Sequence, residues 1–317
     1  MHILVIGGLG FVGSRLVPNL VAAGHAVTVL DKRQPPAHSD QRSIQADIRE
    51  LDAIMPAFLG TDLVINLAAE HQDNVRPVSL YDEVNVLGAK NICTAATRAG
   101  VERILFTSSV AVYGESQAPL MEDSPPNFFN DYGRTKYEAE QIYRAWRSEK
   151  FGRKLSIVRP TVIFGPGNRG NVYNLLHQIK YGPFVMIGDG RNIKSIAHVD
   201  NVAAFLLHLT ELQTSDEVLL NYSDTPDLSV RQLVTLCLDS LGRPPTAVHI
   251  PRYAGMAIGH LSDIASRAIG RNLPVSAVRV RKFCTNSTVD AARARATGFS
   301  PLVDLRGALR EMIRDHV

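Results

Sequence analysis

The sequence lacks the features that mark several specialised classes of protein. It contains only three cysteines in 317 residues, Cys93, Cys237 and Cys284, which are widely spaced and odd in number. They suggest neither a disulfide framework nor a metal site, so we expect a reducing, cytoplasmic location and no metal. No signal peptide is evident, and no apolar run approaches the ~20 residues needed to span a bilayer. The net charge is only +3, without a run of like charge, which argues against a nucleic-acid partner.

What is present is the composition and patterning of a globular α/β protein. Hydrophobic residues make up 45% and charged residues 21% of the chain, as in soluble globular proteins. Strand-like and helical segments alternate up to residue 165, which predicts a doubly wound parallel sheet of the Rossmann type. We expect a dinucleotide-binding domain over residues 1–165, to which segments near 190–210 return. Residues 166–317 should form mostly a smaller, substrate-binding lobe.

The first predicted strand, residues 2–6, leads directly into three regularly spaced glycines, Gly7, Gly10 and Gly13. A helical pattern follows them. Glycines in such a turn let the backbone approach a pyrophosphate, and the N-terminus of the helix supplies N–H groups. The order of strand, turn and helix therefore predicts a dinucleotide-binding site.

A second predicted strand, residues 26–30, is followed by an acidic side chain. Asp31 stands eighteen residues beyond Gly13, where a carboxylate accepts hydrogen bonds from the hydroxyls of the adenosine ribose. A carboxylate there also repels a 2′-phosphate, so NAD is favoured over NADP, although the basic Lys32 and Arg33 follow immediately. Two further strand ends, at residues 44–48 and 63–69, are expected to face the cofactor.

A candidate acid/base pair lies on the helix predicted to begin near residue 132. Tyr132 and Lys136 are four residues apart and so share one helix face, and Ser109 ends the strand-like run that begins at residue 103. A nearby ammonium should lower the tyrosine pKa from its usual value of about 10 and allow proton exchange with a substrate hydroxyl. The spacing alone is more often that of an ordinary helix-face pair, so this interpretation depends on the other motifs.

Together these motifs resemble the extended short-chain dehydrogenase/reductase family. Its members are NAD-dependent epimerases, dehydratases and reductases that act on nucleotide sugars. The resemblance covers nearly the whole chain, from the glycine turn to the segment at 290–301. It implies that Ser109, Tyr132 and Lys136 are the catalytic residues.

The strand ends and this resemblance together predict the residues around the two ligands. The expected cofactor-binding residues are Gly7, Gly10, Phe11, Val12, Asp31, Lys32, Asp47, Ile48, Leu67, Ala68, Ala69, Asn85, Thr107, Tyr132, Lys136, Pro160 and Val162. The expected substrate-binding residues are Ser108, Ser109, His71, Arg169, Asn171, Arg252 and Arg279. The resemblance further implies a homodimer formed through the helices that flank Asn91 and Tyr137.

Two departures from the family pattern bear on the reaction. Val110 and Ala111 stand where the family's 4,6-dehydratases have an acidic pair, and Val162 stands where the family often has an asparagine. Dehydration is therefore disfavoured, and hydride transfer at a sugar carbinol is expected. The foremost expectation is a UDP-hexose or N-acetylhexosamine 4-epimerase of glycan or O-antigen precursor synthesis. A nucleotide 4-keto-6-deoxysugar reductase and a dehydrogenase of a non-sugar, steroid-like alcohol remain as alternatives.

An apolar stripe at helical spacing runs through residues 253–269. It predicts a helix whose apolar side is covered by the core or by a lid, or else contacts a membrane or a lipid-linked sugar. The sequence leaves these alternatives open.

Overall fold

The structure, a computed structural model, describes residues 1–36, 41–72, 75–116, 118–182, 184–212, 215–244, 248–269 and 276–316. Its strands are β1 (His2–Ile6), β2 (Ala26–Asp31), β3 (Arg42–Gln45), β4 (Leu63–Asn66), β5 (Arg103–Thr107), β6 (Lys154–Pro160), β7 (Val162–Phe164), β8 (Val185–Ile187), β9 (Ile193–Lys194), β10 (Ile196–His198), β11 (Glu217–Tyr222), β12 (Leu228–Ser229) and β13 (Val248–Ile250). Seven of them form one parallel sheet in the order β11-β6-β5-β4-β1-β2-β3.

Helices cover both faces of this sheet. The helices are α1 (Gly13–Ala22), α2 (Leu51–Phe58), α3 (Ser79–Tyr81), α4 (Gly88–Ala99), α5 (Asp131–Ser148), α6 (Asn171–Tyr181), α7 (Val199–Glu211), α8 (Val230–Ser240), α9 (Arg252–Ile269), α10 (Ala277–Cys284), α11 (Ala292–Arg295) and α12 (Leu305–Glu311). In β1, Leu4 and Ile6 belong to the core under α2, α4 and α5, whereas Ile3 and Val5 belong to the core under α1 and α7. Because successive side chains of a strand face opposite sides, a strand covered on both faces needs such an uninterrupted apolar run.

The chain beyond β6 forms a separate core and also returns to the sheet. Phe164, Leu176, Met186 and Leu309 belong to this third core, which packs between α6, α8, α12 and the short strands. By contrast, α7 packs on α1, and β11 joins the edge of the large sheet beside β6. The doubly wound α/β class predicted from the sequence is confirmed.

Candidate active site

The parallel strands bring the predicted site residues to one edge of the sheet. β1 is followed by Gly7, β2 ends in Asp31, β4 is followed by Leu67, and β5 is followed by Ser108 and Ser109. β1 and β4 lie side by side in the middle of the sheet, and the strand order runs outward from them in both directions. Such a switch point opens a crevice at the carboxyl ends of the strands, where α/β proteins bind their ligands.

The glycine turn between β1 and α1 is too closely packed for a side chain. A Cβ on Gly7, whose φ is +76°, would lie 2.8 Å from the amide nitrogen of Ala68. A Cβ on Gly10 would lie 2.9 Å from the carbonyl oxygen of Gly7, and one on Gly13 would lie 2.5 Å from that of Gly8. Only glycine fits such approaches. The backbone at the N-terminus of α1 is thus open to the close contact that a pyrophosphate requires.

Asp31 is buried at the end of β2 and is held by hydrogen bonds from two residues. The Leu9 N–H donates to its carboxylate at 3.0 Å, and Arg33 donates from its backbone and its guanidinium at 3.0 to 3.1 Å. Burial opposes ionisation, but the hydrogen bonds and the charge of Arg33 outweigh it, so the pKa of Asp31 is lowered. A charged carboxylate in this place fits the adenosine ribose of NAD and repels a 2′-phosphate.

Asn85 joins the loop after β4 to α5. Its Oδ1 accepts from the Glu70 N–H at 2.9 Å, and its Nδ2 donates to the Glu70 carbonyl oxygen and to Thr135 Oγ1, each at 3.0 Å. The side chain is buried, and both its amide oxygen and its amide nitrogen are hydrogen-bonded. These partners make Asn85 a positioning residue for the loop and the helix, and its predicted contact with the cofactor stays a prediction.

The predicted catalytic serine and tyrosine meet where β5 ends and α5 begins. Ser109 caps a 3-10 turn, and its Oγ accepts from the Ala111 N–H at 3.1 Å. Asn130 caps α5 in the same way, accepting from a first-turn N–H at 2.9 Å. With both backbone segments fixed by these caps, the Ser109 side chain lies close enough to the Tyr132 hydroxyl to favour its phenolate form and so to lower its pKa.

The pKa of Tyr132 is raised, which is opposite to the expectation from its spacing to Lys136. Burial is the largest cause, and it outweighs the hydrogen bond with Ser109, which favours the phenolate. The Lys136 ammonium is directed elsewhere, because its Nζ donates to the Thr107 carbonyl oxygen at 2.7 Å and lies 4.2 Å from the centre of the Phe106 ring. In the protein alone, Tyr132 is therefore a neutral proton donor at neutral pH.

Lys136 is enclosed at the end of β5. Burial lowers its pKa to about 7, against the opposing effect of the Glu140 charge. The neighbouring Thr107 Oγ1 is buried and has no hydrogen-bond partner among the described residues. An enclosed amine that titrates near neutrality, beside an unsatisfied hydroxyl, fits a polar ligand such as the ribose of a nicotinamide nucleotide.

We expect folding stability to rise between pH 7 and pH 10 because of Lys136. Its pKa of about 7 in the folded protein lies below the value of about 10.4 in an unfolded chain. Over this interval the unfolded chain binds more protons, so the contribution of Lys136 to the free energy of unfolding grows with pH and is lost as the pH falls towards 7. Urea unfolding of wild type and Lys136→Met across this range measures the difference, and the variant should lack this part of the slope.

The control for this experiment is Lys150→Met. Lys150 forms an exposed ion pair with Glu102 at 2.6 Å, so its removal should leave the wild-type slope unchanged. An equal slope in wild type and Lys136→Met would contradict the enclosed, partly neutral amine.

Ser108 lies behind the site. It is buried, and its hydroxyl donates to Glu140 Oε1 at 2.6 Å, while Arg159 donates to the same carboxylate at 2.8 and 2.5 Å. The expectation that Ser108 contacts substrate is therefore corrected: adjacent residues at a strand end face opposite sides, and Ser109 is the one that meets Tyr132. Sequence reasoning missed Glu140, although a position four residues after Lys136 places it on the same face of α5.

The remaining predicted residues line the same edge or lie on the surface. Phe11, Val12, Leu67, Ala68 and Ala69 are partly buried, Ile48 and Pro160 are buried, Asp47 is paired with Arg49, and Lys32 and Val162 are exposed. The predicted substrate residues His71, Arg169, Asn171 and Arg252 are exposed, and the side chain of Arg279 lies outside the described residues. Their contacts with substrate stay predictions. Within the described ranges, no group of three or more His, Cys, Asp or Glu side chains could hold a metal ion.

Several known proteins are similar to this chain in sequence. The model of the NAD dependent epimerase/dehydratase family matches residues 3–220. The N-acetyl-α-D-glucosaminyl-diphospho-ditrans,octacis-undecaprenol 4-epimerase of Escherichia coli O157:H7 is 42% identical over 299 residues, covering 94% of this chain and 90% of that protein. The UDP-glucose 4-epimerase of Vibrio cholerae is 27% identical, covering 84% of this chain and 85% of that protein.

Solved structures show the same fold. MoeE5 in complex with UDP-glucuronic acid and NAD has a TM-score of 0.76 at 26% identity, covering 99% of this chain and 98% of that one. The UDP-glucose 4-epimerase of Thermus thermophilus in complex with NAD has a TM-score of 0.77 at 22% identity and full coverage of both chains, a likeness of fold. The predicted enzyme class and NAD cofactor are confirmed, and the chain belongs to the NAD-dependent epimerase/dehydratase family.

Proposed function

We propose that this enzyme interconverts the C4 epimers of an N-acetylhexosamine that is attached to its carrier through a diphosphate, in glycan precursor synthesis. The observation that carries the proposal is the contact between Tyr132 and Ser109 over a turn in which Val110 and Ala111 replace the acidic pair of a dehydratase. This described turn supplies no further acid or base for the elimination of water. The relative at 42% identity is itself a 4-epimerase of a diphosphate-linked N-acetylglucosamine.

The chain's own residues supply the proton chemistry of this reaction. Bound NAD supplies the acceptor and the donor of the hydride at C4. The Ser109 hydroxyl, oriented by the Ala111 N–H, holds the C4 oxygen beside Tyr132. Tyr132 must take the C4 hydroxyl proton as a phenolate when the sugar is oxidised and return it as a phenol when the 4-keto sugar is reduced. Lys136, whose Nζ donates to the Thr107 carbonyl oxygen, would bind the ribose of the nicotinamide. Epimerisation follows when the 4-keto sugar presents its opposite face before Tyr132 returns the proton.

The two alternative reactions use the same catalytic residues and differ in cofactor balance. A 4-keto reductase consumes one reduced cofactor in each turnover, whereas an epimerase leaves its cofactor unchanged. The relatives that are steroid dehydrogenases are 26% and 27% identical to this chain, well below the 42% of the 4-epimerase. Epimerisation is therefore the reaction that we propose.

The fate of the hydrogen at C4 tests this proposal. The substrates are UDP-N-acetylglucosamine and polyprenyl-diphosphate-linked N-acetylglucosamine, each with deuterium at C4. With at least one of them, we expect both C4 epimers to form with the deuterium retained and without net formation of NADH, as NMR and absorbance will show. Consumption of one NADH or NADPH for each molecule of an added nucleotide 4-keto-6-deoxysugar, with no C4 epimer formed from either N-acetylglucosamine substrate, would instead indicate a reductase.

We further propose that the enzyme works in the cytoplasm as a homodimer. Cys93, Cys237 and Cys284 are all free, which agrees with a reducing compartment. Leu87 and Phe128, just before α4 and α5, are each more than a third exposed, so a second copy packed on these helices would cover them. Light scattering should give about twice the 34.7 kDa mass of the chain, and a monomeric mass would overturn the dimer.

A further inference from the structure

The outer side of α9 is an apolar surface that the described residues leave largely uncovered. Its exposed apolar side chains are Tyr253, Ala257, Ile258, Leu261, Ile264, Ala265 and Ile269. The five large ones have exposed fractions between 50% and 78%. At helical spacing these seven residues occupy one arc of about 160°, which we call the α9 face. The apolar stripe seen in the sequence is thus neither wholly core nor covered by a described lid.

The inner side of α9 is closely packed. A Cβ on Gly255 would lie 2.4 Å from Cγ2 of Ile187 in β8, and one on Gly259 would lie 2.7 Å from Cα of Ala277 in α10. Asp263 accepts from the Ala277 N–H at 3.1 Å. Because these contacts fix the helix along its inner side, the outward direction of the α9 face is a property of the fold.

Basic residues dominate the sequence around this face. Residues 252–284 contain Arg252, Arg267, Arg271, Arg279, Arg281 and Lys282 against a single acid, Asp263. The net charge of the whole chain, by comparison, is +3. Of these basic residues, Arg252 is exposed and Arg281 is paired with Glu115, while Arg271 and the side chains of Arg267, Arg279 and Lys282 lie outside the described residues. An apolar helix face in a sequence segment rich in Arg and Lys is typical of helices that lie in the interface of an anionic bilayer. No helix in the described ranges is long and apolar enough to cross a membrane, so such a contact would be with the membrane surface.

The helix α10 connects the α9 face to the catalytic turn. Arg281 in α10 donates from Nε and Nη2 to Glu115 at 3.1 and 2.9 Å. Glu115 follows Ser109 by six residues, on the segment that leaves the 3-10 turn. The helix α9 is therefore connected to the segment that follows the catalytic serine, through its packing on α10 and the ion pair between Arg281 and Glu115.

We propose that the α9 face docks on the surface of an anionic phospholipid bilayer, and that the carrier of the sugar diphosphate is a polyprenol held in that bilayer. This inference rests on the proposed function, because it names the carrier for the same site. A nucleoside carrier is water-soluble and needs no apolar surface beside the site. A large apolar patch on an otherwise polar surface is typical of an interaction site, and lipid acyl chains remove it from water.

Vesicle flotation tests the docking surface. The purified protein should float with vesicles of phosphatidylcholine and phosphatidylglycerol. Leu261→Glu with Ile264→Glu should lower this binding at least about tenfold, because two aliphatic side chains are replaced by charges that the anionic headgroups repel. The matched control is Leu59→Glu with Phe151→Glu, which changes two exposed apolar residues at the opposite edge of the sheet and should bind as the wild type does.

Failure of the wild type to float, or equal loss in the control, would overturn the docking surface. The α9 face could also be covered by a second copy of the chain. Light scattering on Leu261→Glu with Ile264→Glu distinguishes this case, since a change of mass without a change in vesicle binding would contradict the membrane contact.

Turnover tests the carrier. The wild type should epimerise N-acetylglucosamine diphospho-undecaprenol in the same vesicles. The α9 double variant should lose at least about tenfold in kcat/KM there, while it keeps wild-type activity on a short, water-soluble prenyl analogue. Turnover of UDP-N-acetylglucosamine but of neither prenyl substrate would refute the polyprenol carrier and leave the epimerase function intact. Absence of turnover with all three substrates would refute the proposed function itself.

Discussion

Replacement of Tyr132 by Phe should lower turnover at least about 100-fold, the lower scale of general acid/base contributions, while NAD affinity stays near that of the wild type. Tyr132 lies beside Ser109, and burial raises the pKa of its phenol. We expect this hydroxyl to be the group that exchanges a proton with the C4 oxygen. Phe preserves the ring and its packing but cannot exchange a proton. Initial rates and calorimetric titration with NAD measure the two quantities separately.

Tyr137→Phe is the matched control for this experiment. Tyr137 lies five residues further along α5 and packs against Phe128, with ring centroids 6.2 Å apart, outside the contact between Tyr132 and Ser109. The control should keep nearly wild-type turnover. Equal losses of NAD affinity and of rate in Tyr132→Phe would show that Tyr132 is structural.

Replacement of Arg159 by Met should lower the free energy of unfolding by about 3–5 kcal/mol, as expected when one partner of a buried ion pair is removed. Glu140 is fully enclosed and accepts two hydrogen bonds from Arg159 and one from Ser108. Without the guanidinium, its closest remaining cation is Arg144 at 3.4 Å, whose side chain is partly exposed. Denaturant unfolding measures the loss.

A surface pair provides the comparison. Arg147→Met removes a partly exposed contact with Asp216 at 3.2 Å and should change stability by no more than about 1 kcal/mol. Adding Glu140→Gln to Arg159→Met should recover part of the loss, because the unpaired charge is then removed. A loss in Arg159→Met as small as that in Arg147→Met would contradict the buried pair.

The architecture and the place of the site follow from short-range patterns. The apolar run Ile3 to Ile6 is what a strand covered on both faces requires, and the structure covers it on both faces. Gly7 and Asp31 directly follow or end their strands, and parallel strands bring those positions to one edge. Such features can be predicted from the sequence because a strand, or the turn that follows it, is determined mainly by residues that are adjacent in the chain.

The protonation states depend on contacts that sequence spacing does not contain. Tyr132 and Lys136 share a helix face as predicted, but the amine meets the carbonyl oxygen of Thr107, a residue 29 positions away on β5. Burial, the largest cause of both pKa shifts, is likewise set by the assembled layers. In the same way, the periodicity of residues 253–269 identifies an apolar face, but whether another element covers that face is decided only by tertiary packing.

The amide of Asn85 bears on how an epimerase sets stereochemistry. It fastens the backbone of Glu70, beside the crevice, to Thr135, which lies on α5 between Tyr132 and Lys136. The loop after β4 and the helix that carries Tyr132 are thus held together by one side chain. Because these two parts of the site are held together, we expect the 4-keto sugar to rotate between the two hydride transfers while the protein keeps its arrangement. The face that the sugar presents to the cofactor then decides the C4 configuration of the product.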